Sequence, residues 1–173
     1  MRKNHTITLI LIAFLLSVWP ASSAALAADR GTTKVTLAGK TIKIDYGRPE
    51  LRGRDVMTMA APGTVWRMGM DAATQLETAA TLKSDGLTVK PGKYTLFAKK
   101  VSADEWRLIV NKKTGIWGTD HDASADVGST PLKSSELKNA VETFTITLSG
   151  SGSKGALEIQ WGTRKLSTTF TAE

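Results

Sequence analysis

Hydrophobic and polar residues alternate along most of this chain after residue 30. Thr33 to Leu37 gives way to Ala38-Gly39-Lys40 and then to Ile42-Lys43-Ile44-Asp45-Tyr46, with Ile42, Ile44 and Tyr46 on one face and Lys43 and Asp45 on the other. A period of two broken by a short glycine turn predicts a β-hairpin. Asp85-Gly86 and Lys90-Pro91-Gly92-Lys93 carry turn chemistry, and Tyr94 to Ala98 follows as a strand. Trp106 to Val110 is apolar almost throughout, as expected of a central strand. Phe144, Ile146 and Leu148 alternate with threonines, Ser149 to Gly155 is a flexible turn, and Leu157, Ile159 and Trp161, then Leu166 and Phe170, repeat the pattern.

Two stretches are less regular. Ala72 to Leu82 mixes alanines with threonines and is read as strand. Asn111 to Asn139 has no period and is the longest such stretch; Ser135 to Ala140 is expected to supply one helical turn capped by Ser134 or Ser135. Eight or nine short strands with at most one short helix predict an all-β fold, a single-domain β-sandwich of the jelly-roll or immunoglobulin-like kind over residues 28–173.

The N-terminus follows another logic. Arg2 and Lys3 precede a nearly unbroken apolar run from Ile7 to Val18, Pro20 breaks it, and Ala25-Leu26-Ala27 offers small residues for cleavage. That layout predicts a signal peptide over residues 1–27, since the run is short of the roughly 18 to 20 residues a membrane span needs. Export to the periplasm or medium is the expectation, with no membrane insertion after cleavage. The leader holds two of the 23 basic residues and none of the 16 acidic ones, so the remainder carries +5. This charge forms no basic run interleaved with aromatics, which argues against nucleic acid as a partner. The absence of cysteine excludes thiol catalysis and Cys-ligated metal, and a chain of about 145 residues buries enough surface to do without disulfides.

Candidate chemistry concentrates between Ile44 and Thr74. Arg48, Arg52 and Arg54 crowd the loop after Gly47, and Arg67 follows Trp66. A guanidinium is a fixed, forked donor suited to carboxylates and phosphates. If the corner folds toward Trp66-Arg67, these arginines line a cleft floored by Tyr46 and Trp66; otherwise they pair with Asp45, Glu50, Asp55 or Asp71 and pin the loop, the commoner fate. Trp117, between Gly115 and Gly118, is a further candidate for contact with a glycan or partner, whereas Trp106 and Trp161 lie in phase with apolar faces.

Several motifs fail their tests. Asp120-His121-Asp122 with Asp126 lacks the glycine and terminal glutamate of a calcium loop and reads as a solvated turn, with no metal site expected. No G-x-S-x-G elbow exists for a hydrolase built on His121. Gly150 to Gly155 lacks the Gly-Lys-Ser/Thr ending of a phosphate loop.

The ordered set Asp45-Tyr46-Gly47-Arg48-Pro49 with Leu51, Gly53 and Arg54, Val65-Trp66-Arg67 with Gly69 and Ala73-Thr74, Val89 to Phe97, Trp106 with Val110-Asn111-Lys112, Trp117-Gly118, and Val141 to Ile146 resembles the bacterial exported family DUF2911. The resemblance spans nearly the whole chain after the leader. It implies one β-rich domain in the cell envelope or medium, and no established activity, so no catalytic residue is carried over. Asp120-His121-Asp122 departs from the Tyr-Asp more usual there. The expected role is non-enzymatic binding of a small anionic or carbohydrate-like ligand, or an envelope partner, through Tyr46, Arg48, Arg52, Arg54, Trp66, Arg67 and Trp117, with no cofactor. A carboxylate hydrolase using Asp45, Glu50 or Glu77 with Arg67, and a purely structural domain, are the alternatives.

Overall fold

The computed structural model describes residues 29–173, with only the backbone of Val56 and Thr58. The expected signal peptide at 1–27 lies outside the described residues.

The described residues form ten strands: β1 (Arg30–Leu37), β2 (Lys40–Gly47), β3 (Val65–Trp66), β4 (Gln75–Thr78), β5 (Leu82–Ser84), β6 (Leu87–Val89), β7 (Gly92–Lys100), β8 (Trp106–Asn111), β9 (Asp126–Ser151) and β10 (Lys154–Ala172). A four-residue helix, α1 (Val56–Met59), and a 3-10 turn at Ala123–Ala125 are the helical parts among the described residues. The chain is all-β, as its alternation predicts. Every pairing is antiparallel, and the strands join in one path, β1-β2-β4-β7-β8-β9-β10-β5-β6, with β3 on β7.

The β1–β2 hairpin turns at Ala38 and Gly39, both with positive φ (48° and 74°), as a tight two-residue turn requires. Ile42, Ile44 and Tyr46 are buried and Lys43 is exposed, so the periodicity places the core face correctly. In β8, Trp106, Leu108 and Val110 face the main core while Ile109 and Asn111 are buried on the opposite face. Burial on both sides explains why this strand shows almost no alternation.

β9 and β10, at 26 and 19 residues, are far longer than a usual strand of about 5–6 residues. The start of β9 pairs with β8, most of its remainder pairs with β10, and Thr171 and Ala172 of β10 pair with β5. Register shifts flank Gly162, whose φ of 62° fits a bulge. The β9–β10 hairpin folds over β1: Leu148 N donates to Thr33 Oγ1 at 3.0 Å and Ala38 N to Gly152 O at 2.8 Å. The sheet thus curls around one core drawn from both ends of the path.

Two expectations need correction. Ser135–Ala140 is strand, not a helical turn, because Ser134, Ser135 and Glu136 pair with Leu166, Lys165 and Arg164. Residues 133–143 are exposed or half-buried on both faces, so they carry no apolar period, and pairing to β10 overrides local propensity. The turn expected over Ser149–Gly155 shrinks to Gly152-Ser153, since both strands run to its edge.

An aromatic cluster sits at one end of the core. Trp66 stacks on Trp161 at 6.0 Å and meets Phe144 edge-on at 5.2 Å; Tyr46 meets Phe144 at 5.7 Å. The polar ends are satisfied, with Trp161 Nε1 donating to Glu142 O and Tyr46 OH to Ile146 O.

Candidate functional site

The corner after β2 is sewn to β9. Phe144 N donates to Pro49 O at 2.9 Å, Leu51 N to Glu142 O at 3.0 Å, and Glu50 bridges Thr143. Within this corner the arginines are occupied. Arg48 lays its stem beside the Tyr46 ring where Gly31 has no side chain, and Nη1 reaches Asp29 at 3.7 Å, while its buried Nε has no hydrogen-bond partner among the described residues. Arg52, with φ of 48°, pairs with Glu50 at 3.5 Å, and its N–H donates to the Glu142 carboxylate. Arg54 Nε donates to Leu51 O at 3.3 Å. Nearby, Arg30 Nε donates to Asp45 at 2.6 Å. These contacts engage the guanidinium groups, while the backbone bonds to β9 hold the loop.

Arg67 is placed differently. β3 sets Trp66 opposite Ala98, toward the aromatic cluster, so alternation sends the next side chain to the other face of the sheet. There its stem lies along Gly118: a Cβ on that glycine would stand 3.0 Å from Arg67 Cδ. Arg67 is half-buried and, among the described residues, makes no hydrogen bond or ion pair.

Two loops frame it. In residues 68–74, Met68 and Asp71 adopt left-handed φ (51° and 59°), each costing roughly 1–2 kcal/mol relative to ordinary backbone. The strain is held by a fully buried Met68 side chain and by Thr74 Oγ1 donating to Met68 O at 2.5 Å. Gly47 lets this loop sit on the end of β2, because any Cβ there would run into the Met70 backbone. The second loop crosses through an Ala72–Trp117 bridge, with Gly118 N donating to Asp71 O and Ala73 N to Ile116 O. Trp117 is 51% exposed. Arg67 therefore lies at this crossing, against the residue that follows Trp117.

The rest of that loop forms a lid over the outer face of β7 and β8. His121 packs on Phe97 at 4.7 Å and its Nε2 contacts Asp126 at 3.0 Å; Asn111 Nδ2 donates to Asp126 and to Asp122 O. Asp122 caps the 3-10 turn, and hydrogen bonds from Ser124, aided by Lys113, bring its carboxyl down from 3.8 to about 2. Among the described residues no group of three or more His, Asp or Glu is placed to hold a metal ion.

The carboxylates of the hydrolase alternative are each beside a cation: Asp45 with Arg30, Glu50 with Arg52, and Glu77 with Lys93 at 3.7 Å. Asp45 and Glu77 do line one shallow depression with Lys43, Gln75 and Lys93.

The structure thus separates the seven residues read as a site. Tyr46 and Trp66 belong to the aromatic core, Arg48, Arg52 and Arg54 to the corner, and Arg67 lies against Gly118, the residue after Trp117. Gly118 and Asp71, which create that junction, left only a glycine as their trace in the sequence.

No curated protein and no solved structure matches the chain. The sequence model of the family described as protein of unknown function (DUF2911) matches residues 28–170. That match covers most of the chain, and the protein belongs to the DUF2911 family.

Proposed function

We propose that this chain is an exported binding module that takes a small anionic, carbohydrate-like ligand at Arg67, with Trp117 as a flanking apolar contact. The carrying observation is the contrast among the arginines. Among the four arginines read as a site, Arg48 and Arg52 have carboxylate partners and Arg54 a backbone carbonyl, whereas Arg67 has none among the described residues and is held in place by loops that store backbone strain. A half-buried guanidinium whose stem is fixed against Gly118 loses little side-chain entropy when it binds a carboxylate or phosphate. The half-exposed indole offers a surface on which a sugar ring can stack. Export is supported by the basic, apolar and small-residue order of residues 1–27.

A thermal-shift screen of the purified chain against uronic acids, sugar phosphates, dicarboxylates and neutral sugars tests the reading. A ligand at 100 times its Kd raises stability by about 2.7 kcal/mol. Acidic sugars are expected to raise the melting point of the wild type and of Arg52→Ala but not of Arg67→Ala, with Trp117→Ala in between. No response across the panel, or an undiminished response in Arg67→Ala, overturns it. N-terminal sequencing of the protein recovered outside the cytoplasm is expected to begin at Ala28 or Asp29; a start at Met1 contradicts cleavage.

A further inference from the structure

Away from Arg67, the curled sheet encloses a cavity of about 50 Å³. Its wall is aliphatic, with Ile42, Leu76, Leu108, Leu148 and Leu157 contributing, and its polar lining is limited to Ser84, Thr130 and Thr168. Those hydroxyls satisfy one another: Ser84 Oγ lies 2.9 Å from Thr130 Oγ1 and 3.4 Å from Thr168 Oγ1, and donates to Thr169 O at 2.8 Å. An apolar space with satisfied polar edges has little call on water and favours hydrocarbon.

Phe170 stands between this cavity and a surface groove of about 670 Å³ lined by Lys83, Asp85, Lys154 and Gly155. The half-buried ring lies over bare backbone, since a Cβ on Gly155 would fall 2.5 Å from ring Cε2. The strand carrying it is between partners. β10 pairs with β9 as far as Ser167 and with β5 from Thr171, so residues 168–170 stand outside both registers. The ring is thus held by packing on a stretch the ladder does not clamp. At the mouth, Lys83 is bound by Glu173 at 2.9 Å, while Lys154 is exposed and has no ion pair among the described residues.

The geometry points to Phe170 as a gate, and to the groove and cavity together as a second binding site for an aliphatic carboxylate, its chain passing the displaced ring into the core and its anionic head meeting Lys154. The existing space takes only a few methylenes, and swinging the ring outward adds the ring's own volume. This site shares no residue with the Arg67 junction, and either can stand without the other.

The test is an NMR titration of the full chain with straight-chain carboxylates from hexanoate to dodecanoate, with 1-decanol as a neutral probe. Affinity is expected to rise with chain length, with amide shifts centred on Ser84, Thr168 and Phe170. Phe170→Ala is expected to bind decanoate at least threefold more tightly and Phe170→Trp more weakly; Phe170→Leu serves in place of the alanine variant should that one fail to fold. Lys154→Ala is expected to weaken decanoate and leave 1-decanol unchanged. Affinity independent of chain length, shifts centred on Arg67 and Trp117, or indifference to both the smaller and the larger side chain at 170 overturns the proposal.

Discussion

Gly47→Ala probes the seat on which the Arg67 loop rests. Two effects oppose each other. Gly47 is not in the left-handed region, and a methyl group at a compatible glycine stabilises by about 0.4–1 kcal/mol through the unfolded chain. Against this, the new Cβ would meet the Met70 carbonyl oxygen, lie 2.8 Å from Met70 N and 3.0 Å from Met70 Cγ. The first two are backbone atoms and cannot swing aside like the end of a side chain. The whole 68–74 loop must lift, against the Thr74–Met68 and Gly118–Asp71 hydrogen bonds. Overpacking of this kind costs about 1–3 kcal/mol, so sterics win and the net loss is about 1–2 kcal/mol. For a domain of this size, at about 2–4 °C per kcal/mol, that lowers the melting point by about 2–8 °C, measurable by calorimetry or urea unfolding. Gly53→Ala is the control: its φ is 74° with nothing within 4 Å, so it reports backbone strain alone. Stability of Gly47→Ala at or above wild type would refute the close seating of this loop on β2.

Other outcomes follow from the same contacts. Trp161→Ala removes a ring stacked on Trp66 and a hydrogen bond to Glu142 O, and is expected to cost about 3–5 kcal/mol in denaturant unfolding; a loss no larger than that of a surface substitution contradicts the cluster's role. Arg48→Met keeps an apolar stem on Tyr46 while removing the unpartnered Nε and a long pair with Asp29, so stability should change by no more than about 0.5 kcal/mol; a large loss would make that pair structural. The Asp122 carboxyl is lowered in the folded state, so its stabilising contribution is present above the unfolded value near 3.8 and disappears as pH falls through about 2. Carbon NMR of the carboxyl should give a midpoint near 2 that rises in Ser124→Ala, and an unmoved midpoint would remove Ser124 as the cause.

The legible parts of the sequence were those where burial on one face writes a period into the residues. Ile42 and Ile44, or Phe144, Ile146 and Leu148, declare their strands because each lies between exposed or half-buried neighbours. Residues 133–143 are wetted on both faces, so nothing marked them as strand, and serines there suggested a helix cap. At the candidate site the residue types were readable and their partners were not. Nothing near Arg48 in the sequence points to Asp29, and nothing near Arg67 points to Gly118, because those contacts arise from long-range pairing of the loops. Trp117 was readable as exposed because it sits among glycines outside any apolar period. Phe170, in phase with Leu166, gave no hint that its ring stands at the cavity's mouth.

Of the four arginines read as a site, Arg67 is the one whose guanidinium has no hydrogen bond or ion pair among the described residues, and so the one offered to a ligand. NMR observation of the arginine Nε–H and tryptophan Nε1–H signals during titration of the chain with galacturonate tests this most directly. The expected result is saturable shifts of Arg67 Nε and Trp117 Nε1, with Arg48 and Arg52 unmoved. Shifts confined to the arginines of the corner, or none at any concentration that saturates a weak site, would contradict it.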